Sequence, residues 1–348
     1  MKSRLINKII SSALCLTATL VVTACSEWTE VEGVGVNNPN IADQNPELYA
    51  QYLENLKSYK DSDHKATYVW FNNSEKIPFS RAHHLTELPD SIDVVALMYP
   101  SNLAAYELKE MESIRKNKGT KIIATIDFDA IKLEYDLMVA DKIKEDPTYI
   151  PAAFLDVLKD KVRDLYIDID KYGYDGISIG YKGKGTLHLT QQELEEYNNN
   201  GKLFIGMIKD WHERRKDKLI VFEGKPQNLV DKSILSDCKL IILPSEDATN
   251  SYLFTYNVEM AKAEGVPTDR FAVSVTTPSL DETDTKTGYF SNKTRALTSA
   301  AQWSVAAHSD FTISGLAIYN VSNDYFNTSL VYKYTRDAIT TLNPSIKN

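Results

Sequence analysis

Short apolar runs alternate along the chain with longer amphipathic stretches, and this alternation is the main guide to its fold. The runs are continuously apolar and rich in β-branched residues, which is typical of parallel strands covered on both faces. Eight runs predict strands: KATYVWF (65–71), SIDVVALMY (91–99), KIIATIDF (121–128), DGISIGY (175–181), KLIVFEG (218–224), CKLIILP (238–244), RFAVSVTT (270–277) and GLAIYNV (315–321).

Helical periodicity in the intervening stretches predicts the helices that cover these strands. One such stretch is 151–172, and another begins after Thr190, which has the capping-box spacing to Glu193. Strands and helices in this order predict an α/β fold with a single domain, a (β/α)8 TIM barrel. A doubly wound open sheet is the alternative, and it is weakened because no Gly-x-Gly-x-x-Gly motif follows the first strand.

The first 24 residues have the composition of a signal peptide. Lys2, Arg4 and Lys8 precede an apolar run that is too short to span a membrane, and small residues lead to Cys25. The sequence VTAC is similar to the lipobox of bacterial lipoproteins, which implies that Cys25 is lipidated and anchors the protein to a membrane. An ordinary cleaved signal with a chance cysteine is the alternative.

Residues 25–45 are polar, acidic and rich in turn formers, which predicts a tether that leads to a domain at 46–348. An acidic segment directly after a lipidated cysteine resembles the surface-export signal of Bacteroidetes lipoproteins. The resemblance implies an outer-membrane location with exposure at the cell surface. Cys238 is the remaining cysteine of the domain, so no intrachain disulfide is expected.

The net charge of −9 argues against nucleic-acid partners and against anionic membrane surfaces, but it does not exclude neutral sugars. The chain shows no nucleotide-binding loop and no convincing set of metal ligands. The sequence therefore predicts neither a cofactor nor a metal site.

The predicted barrel would carry its functional site at the C-terminal ends of the strands. Aromatic, amide and acidic residues are frequent at these ends. Aromatic faces stack on the C–H faces of sugars, while amides and carboxylates hydrogen-bond to hydroxyl groups. We therefore predict that a sugar ligand contacts Trp70, Asn72, Asp127, Tyr181, Glu223, Tyr319 and Asn320.

The fourth predicted strand lies within YGYDGISIGYKGKG (172–185), where apolar residues alternate with positions that carry no acid. This frame resembles the D-G-x-D-x-D-x-E strand of family 18 glycoside hydrolases. Asp175 and Gly176 match its first two positions, and the three later acids are replaced by Ser178, Gly180 and Lys182. Short connections after the seventh strand favour the compact endo-β-N-acetylglucosaminidase branch of that family.

The resemblance implies that the last acid of this strand protonates the leaving oxygen. The acid two residues earlier would orient the substrate's 2-acetamido group, which acts as the internal nucleophile. Lys182 has the wrong charge for the first role, and Gly180 has no side chain for the second. We therefore expect a protein that is not an enzyme and in which Asp175 has a structural role.

A degenerate barrel behind a lipobox resembles the surface glycan-binding lipoproteins of Bacteroidetes. The resemblance implies capture of GlcNAc-containing oligosaccharides, especially N-glycans, for a SusC/SusD-like importer. Two alternatives stay open. One is a hydrolase with relocated carboxylates, drawn from Asp127, Asp129, Glu223, Glu246 and Asp247. The other is an assembly lipoprotein that binds no sugar.

Overall fold

The fold is a closed parallel β-barrel in a computed structural model that describes residues 41–344. The residues from Gln51 onward form one compact unit that contains the whole barrel. The strands follow one another around the barrel in chain order, and the last pairs with the first. They are β1 (Ala66–Phe71), β2 (Val94–Leu97), β3 (Lys121–Asp127), β4 (Gly176–Tyr181), β5 (Leu219–Gly224), β6 (Ile241–Pro244), β7 (Phe271–Thr276) and β8 (Ile313–Tyr319). The (β/α)8 prediction is therefore confirmed, and the open sheet is wrong.

Helices precede the barrel and connect most of its strands. Within residues 41–344 they are α1 (Ile41–Gln44), α2 (Pro46–Asp61), α3 (Ala105–Lys118), α4 (Phe128–Glu145), α5 (Phe154–Tyr172), α6 (Gln191–Glu213), α7 (Tyr252–Ala261), α8 (Ala296–Val305) and α9 (Lys333–Leu342). None of these described helices is long and apolar enough to cross a membrane. The predicted signal peptide and Cys25 lie outside the described residues.

The capping box of α6 is present as its spacing predicts. The Thr190 hydroxyl accepts a hydrogen bond from the Glu193 backbone at 3.3 Å, and the Glu193 carboxylate accepts one from the Thr190 backbone at 2.8 Å. Helix α4, in contrast, was missed by the sequence pattern. Phe128 is its one buried residue among those described, so it lacks the apolar stripe on which such a prediction depends.

Side chains along each strand alternate between the barrel interior and the layer beneath the helices. On β4, Ile177, Ile179 and Tyr181 belong to the outer layer, so Ser178 and Gly180 face the interior. The interior also holds a smaller apolar cluster, which includes Tyr68, Trp70, Ala96, Ile123, Val221, Ile242, Ala272 and Ala317. The alternation therefore decides which strand residues can reach the barrel opening.

Asp175 fixes the start of β4 against β3. Its Oδ2 atom accepts hydrogen bonds from the Ile122 backbone and from Arg115 Nε, each at 2.8 Å. Its own backbone joins the ladder on both sides, through Ile122 and Leu219. These contacts support the structural role that the sequence suggested for Asp175.

We expect Asp175→Ala to destabilise the barrel by about 1–3 kcal/mol, because it leaves the Ile122 N–H without an acceptor and Arg115 unpaired. Urea unfolding followed by circular dichroism measures the change. Asp164→Ala is the matched control, since that side chain is 70% exposed. Equal stability of the two variants would contradict the structural role of Asp175.

Candidate functional site

Acidic and aromatic side chains converge at the C-terminal opening of the barrel, which we call the mouth. It consists of Trp70, Asp127, Lys182, Glu223, Glu246 and Tyr319, at or just after the ends of β1, β3, β4, β5, β6 and β8. Trp70, Glu223 and Asp127 share the alternation of interior residues on their strands, so their side chains face the opening. Lys182 interacts electrostatically with Asp127, Glu223 and Glu246.

Gly180 lies directly between two carboxyl-bearing residues. It pairs with Asp127 on β3 and with Glu223 on β5, so all three stand at one level of the barrel. A Cβ atom at Gly180 would lie 2.6 Å from Asp127 Oδ2 and 2.7 Å from its Cγ, closer than real Cβ atoms approach other atoms. The Asp127 carboxylate thus occupies the space into which a side chain on β4 would extend.

Glu223 is the acid at the centre of the mouth. Burial, followed by the charges of Asp127 and Glu246, raises the pKa of Glu223 to about 8. Lys182 and a polar contact with Trp70 act in the opposite direction. At neutral pH this side chain therefore carries its proton and can donate a hydrogen bond.

The two neighbouring acids are held by local hydrogen bonds. Asp127 caps helix α4 through its Oδ1 atom, which accepts from the Ala130 backbone at 2.8 Å. Glu246 accepts a hydrogen bond from the Ser274 hydroxyl at 2.5 Å. Burial is the largest cause that raises the pKa of each carboxyl. The described residues contain no cluster of His, Cys, Asp or Glu arranged to hold a metal ion.

Aromatic rings form the floor and one wall of the mouth. The Trp70 ring centre lies 4.7 Å from that of Tyr68 and 5.3 Å from that of Tyr319. Trp70 is 3% exposed, whereas Tyr319 is partly exposed, so Tyr319 offers the more accessible face. Burial and the charges of Glu223 and Glu246 raise the pKa of the Tyr319 hydroxyl.

Tyr68 packs beneath this site, although sequence reasoning did not name it. The residue is fully buried inside the barrel, and burial together with the Glu223 charge raises the pKa of its hydroxyl. The hydroxyls of Tyr68 and Ser178 interact with each other inside the barrel, and neither has another hydrogen-bond partner among the described residues. The signal was available in the sequence, because Tyr68 stands two residues before Trp70 and therefore faces the same way.

Three of the predicted ligand-binding residues do not reach the mouth in the expected way. The prediction for Tyr181 is corrected, since this residue faces the outer layer with no exposed surface and packs against Phe128 and Phe204. Asn72 is exposed, and its side chain closes a turn by accepting from the Ser74 backbone. Asn320 ends β8 in a left-handed conformation, and its carbonyl accepts from Thr277.

The other relocated-acid candidates are less suitable than Asp127, Glu223 and Glu246. Asp129 accepts hydrogen bonds from the backbone of Lys182 at 2.5 Å and of Gly183 at 3.2 Å, so it fixes the loop after β4. Asp247 is exposed. The carboxyls that could contact a ligand deep in the mouth are therefore those on β3, β5 and the end of β6.

A sequence profile described as glycoside hydrolase family 18, BT1044-like, matches residues 29–341. The chain belongs to glycoside hydrolase family 18. The profile covers every strand of the barrel and therefore all the mouth residues. In this family 18 chain, interior-facing acids stand on β3 and β5 beside a glycine on β4.

Solved structures of similar fold agree with the family assignment. A selenomethionyl glutamate-to-glutamine variant of BT1044 is 18% identical, with 87% of this chain and 95% of that chain covered at a TM-score of 0.63. The apo endo-β-N-acetylglucosaminidase of Cordyceps militaris is 16% identical, with 84% and 96% covered at a TM-score of 0.56. A search of curated proteins found no match.

The Cordyceps militaris enzyme also matches as a double variant, in which an aspartate is replaced by asparagine and a glutamate by glutamine. That structure is a complex with fucosyl-N-acetylglucosamine-Asn. It is 14% identical, with 84% of this chain and 95% of that chain covered at a TM-score of 0.53. At these identities the likeness describes the fold alone.

We expect Gly180→Ala to destabilise the protein by about 1–3 kcal/mol, because the new methyl group collides with the Asp127 carboxylate. In an Asp127→Gly background, which also removes the Cβ atom that lies 2.8 Å from the new methyl group, the same change should cost much less. A double-mutant cycle by urea unfolding separates this coupling from the lost α4 cap. Gly185→Ala is the control, since no atom lies within 4 Å of its Cβ position. If Gly180→Ala lowers the free energy of unfolding equally with and without the Asp127 side chain, the proposed collision is wrong.

The raised pKa of Glu223 predicts a specific pH dependence of stability. Between the ordinary glutamate pKa of 4.5 and about 8, the folded state binds a proton that the unfolded state has lost. The free energy of unfolding should therefore fall as pH rises, by at most about 1.4 kcal/mol per pH unit. Glu223→Gln should lack this contribution. Urea titrations of both proteins between about pH 5 and about pH 8 measure it, and parallel curves would contradict the assignment.

Proposed function

We propose that this chain is a non-catalytic glycan-binding protein that captures GlcNAc-containing oligosaccharides in the barrel mouth. The observation that carries the proposal is the β4 strand, where Lys182 stands in the position of the proton donor and Gly180 in the position of the assisting acid. The loss of a general acid alone typically costs ~10²–10⁴-fold in rate. The loss of both groups leaves a cleft that holds a saccharide without cleaving it.

The chemistry of the mouth suits a polyhydroxylated ligand. Glu223 donates a hydrogen bond when protonated, Asp127 and Glu246 accept hydrogen bonds, and Lys182 donates. Tyr319 presents a partly exposed ring to the C–H face of a sugar. The fucosyl-N-acetylglucosamine-Asn complex of the Cordyceps militaris enzyme supports an N-glycan core as the ligand class.

The cellular setting is part of the same proposal. The lipobox at Cys25 and the acidic segment after it support a lipid-anchored protein exposed on the outer membrane. At that location, capture of N-glycans would supply a SusC/SusD-like importer. The endo-β-N-acetylglucosaminidase branch of the family provides the barrel, and its hydrolytic function is replaced by retention of the glycan.

A hydrolase with relocated carboxylates is the second candidate, and one observation favours it. Asp127 and Glu223 flank Gly180, and strand spacing places their backbones roughly 9–10 Å apart. Glu223 carries a proton at neutral pH, as a general acid must. Carboxyl groups ~5–5.5 Å apart suit a retaining reaction, and those ~6.5–9.5 Å apart an inverting one.

The decisive experiment combines calorimetry with mass spectrometry of the ligand. We expect high-mannose or complex N-glycans to bind the purified protein with an affinity on the order of micromolar, and to be recovered intact. Tyr319→Ala should weaken binding about tenfold, because it removes the accessible ring of the mouth. Tyr252→Ala is the matched control, since that ring is 73% exposed on α7, outside the mouth.

Each alternative has its own outcome in this experiment. Cleavage of the glycan at an enzymatic rate, abolished by Glu223→Gln, would establish the hydrolase and overturn the binding protein. If calorimetry detects no binding of any N-glycan, the alternative of an assembly lipoprotein that binds no sugar is favoured. Binding that Tyr319→Ala and Tyr252→Ala weaken equally would place the ligand outside the mouth.

A further inference from the structure

A cavity of about 360 Å³ lies beside the loop that joins β4 to α6, and we call it the α4–α6 cavity. Residues of α4, residues of α6 and the loop residues Gly183 and Lys184 line it. Its volume is within the ~300–1,000 Å³ range of small-molecule sites. None of the residues that define the mouth lines this cavity, so it is a separate candidate site.

Asn200 is the polar residue of this cavity that is best placed to hydrogen-bond to a ligand. It is 5% exposed, and its side-chain amide has no hydrogen-bond partner within residues 41–344. Its amide atoms are not among the fully buried polar atoms of the described residues, so they keep some accessible surface for a partner. Asn200 lines the cavity, and its amide can pair with a ligand that carries both donor and acceptor groups.

The remaining lining residues define which ligand fits. Phe128 and Tyr197 provide ring surface, while exposed Glu196 and Lys184 provide an acceptor and a donor at the rim. Four carboxylates and two ammonium groups line the cavity, and this negative balance disfavours an anionic ligand. Ring surface together with donors and acceptors suits a neutral molecule with several hydroxyl groups.

The loop that closes the cavity is held in one conformation. Asp129 on α4 accepts hydrogen bonds from the backbones of Lys182 and Gly183. Gly183 has a positive φ of 57°, and a Cβ there would lie 2.5 Å from the Tyr197 hydroxyl. The wall between loop and helix is therefore built before any ligand arrives, which lowers the ordering cost of binding.

We propose that the α4–α6 cavity is a second carbohydrate site that binds one neutral sugar residue, with Asn200 as its central hydrogen-bonding group. This goes beyond capture in the mouth and rests on the proposed function only for the ligand class. A glycan with several branches could use both sites, so that occupation of one raises the effective concentration at the other.

Saturation-transfer NMR with methyl α-D-mannopyranoside and methyl β-D-galactopyranoside tests the site on the purified full chain. We expect at least one of these probes to bind, and Asn200→Leu to weaken its affinity at least about tenfold. Asn199→Leu is the matched control, since that residue is exposed and does not line the cavity.

Stability gives a second readout that separates binding from misfolding. Asn200→Leu removes an amide for which no hydrogen bond is found within residues 41–344, so its melting temperature should stay close to that of the wild type. The proposal is overturned if neither probe binds the wild type or if Asn200→Leu binds as the wild type does. Neither of these results decides whether the mouth binds N-glycans, because calorimetry with N-glycans tests that separately.

Discussion

The Asp127 carboxylate and any side chain at position 180 compete for one small volume at the top of the barrel. Parallel pairing fixes Asp127, Gly180 and Glu223 at the same level, and the backbone at Gly180 lies too close to Asp127 to admit even a methyl group. An acid at position 180 and the observed position of Asp127 therefore exclude each other. Asp127 can keep its position only because residue 180 is a glycine. The carboxylate of Asp127 therefore lies beside Glu223 at the mouth.

The electrostatics of the mouth depend on three carboxyl groups and one lysine. Glu223 interacts with the charges of Asp127 and Glu246, and all three acids interact with the cation Lys182. Burial opposes ionisation of each carboxyl, and Glu223 responds by retaining its proton. The positive charge of Lys182 therefore lowers the free-energy cost of the nearby carboxylates. The same cation would oppose the positive charge that develops on a sugar ring during glycoside cleavage.

The fold could be predicted from the sequence because each strand of a parallel barrel is a continuous apolar run. Such runs can be recognised without knowing how the strands pair. The alternation within β4 could also be predicted, since Ile177, Ile179 and Tyr181 specify the outer face. The same argument should have excluded Tyr181 from the ligand site and placed Tyr68 in the barrel interior. Helix α4 was not predictable from periodicity, because Phe128 is its one described buried residue. The contact between Asp127 and Gly180 depends on register between strands, which one sequence does not reveal.

The barrel interior contains buried polar groups that lower the stability of the fold. Elsewhere in the interior, Ala96, Ile123 and Val221 fill the space with apolar groups. By contrast, Tyr68 and Ser178 bring buried hydroxyls into the barrel interior, and Glu223 is held at the opening with a raised pKa. Each of these features costs free energy that leucine or valine would avoid. Natural barrels keep such costs where a ligand repays them, so the local frustration argues for a ligand-binding mouth over a purely structural role.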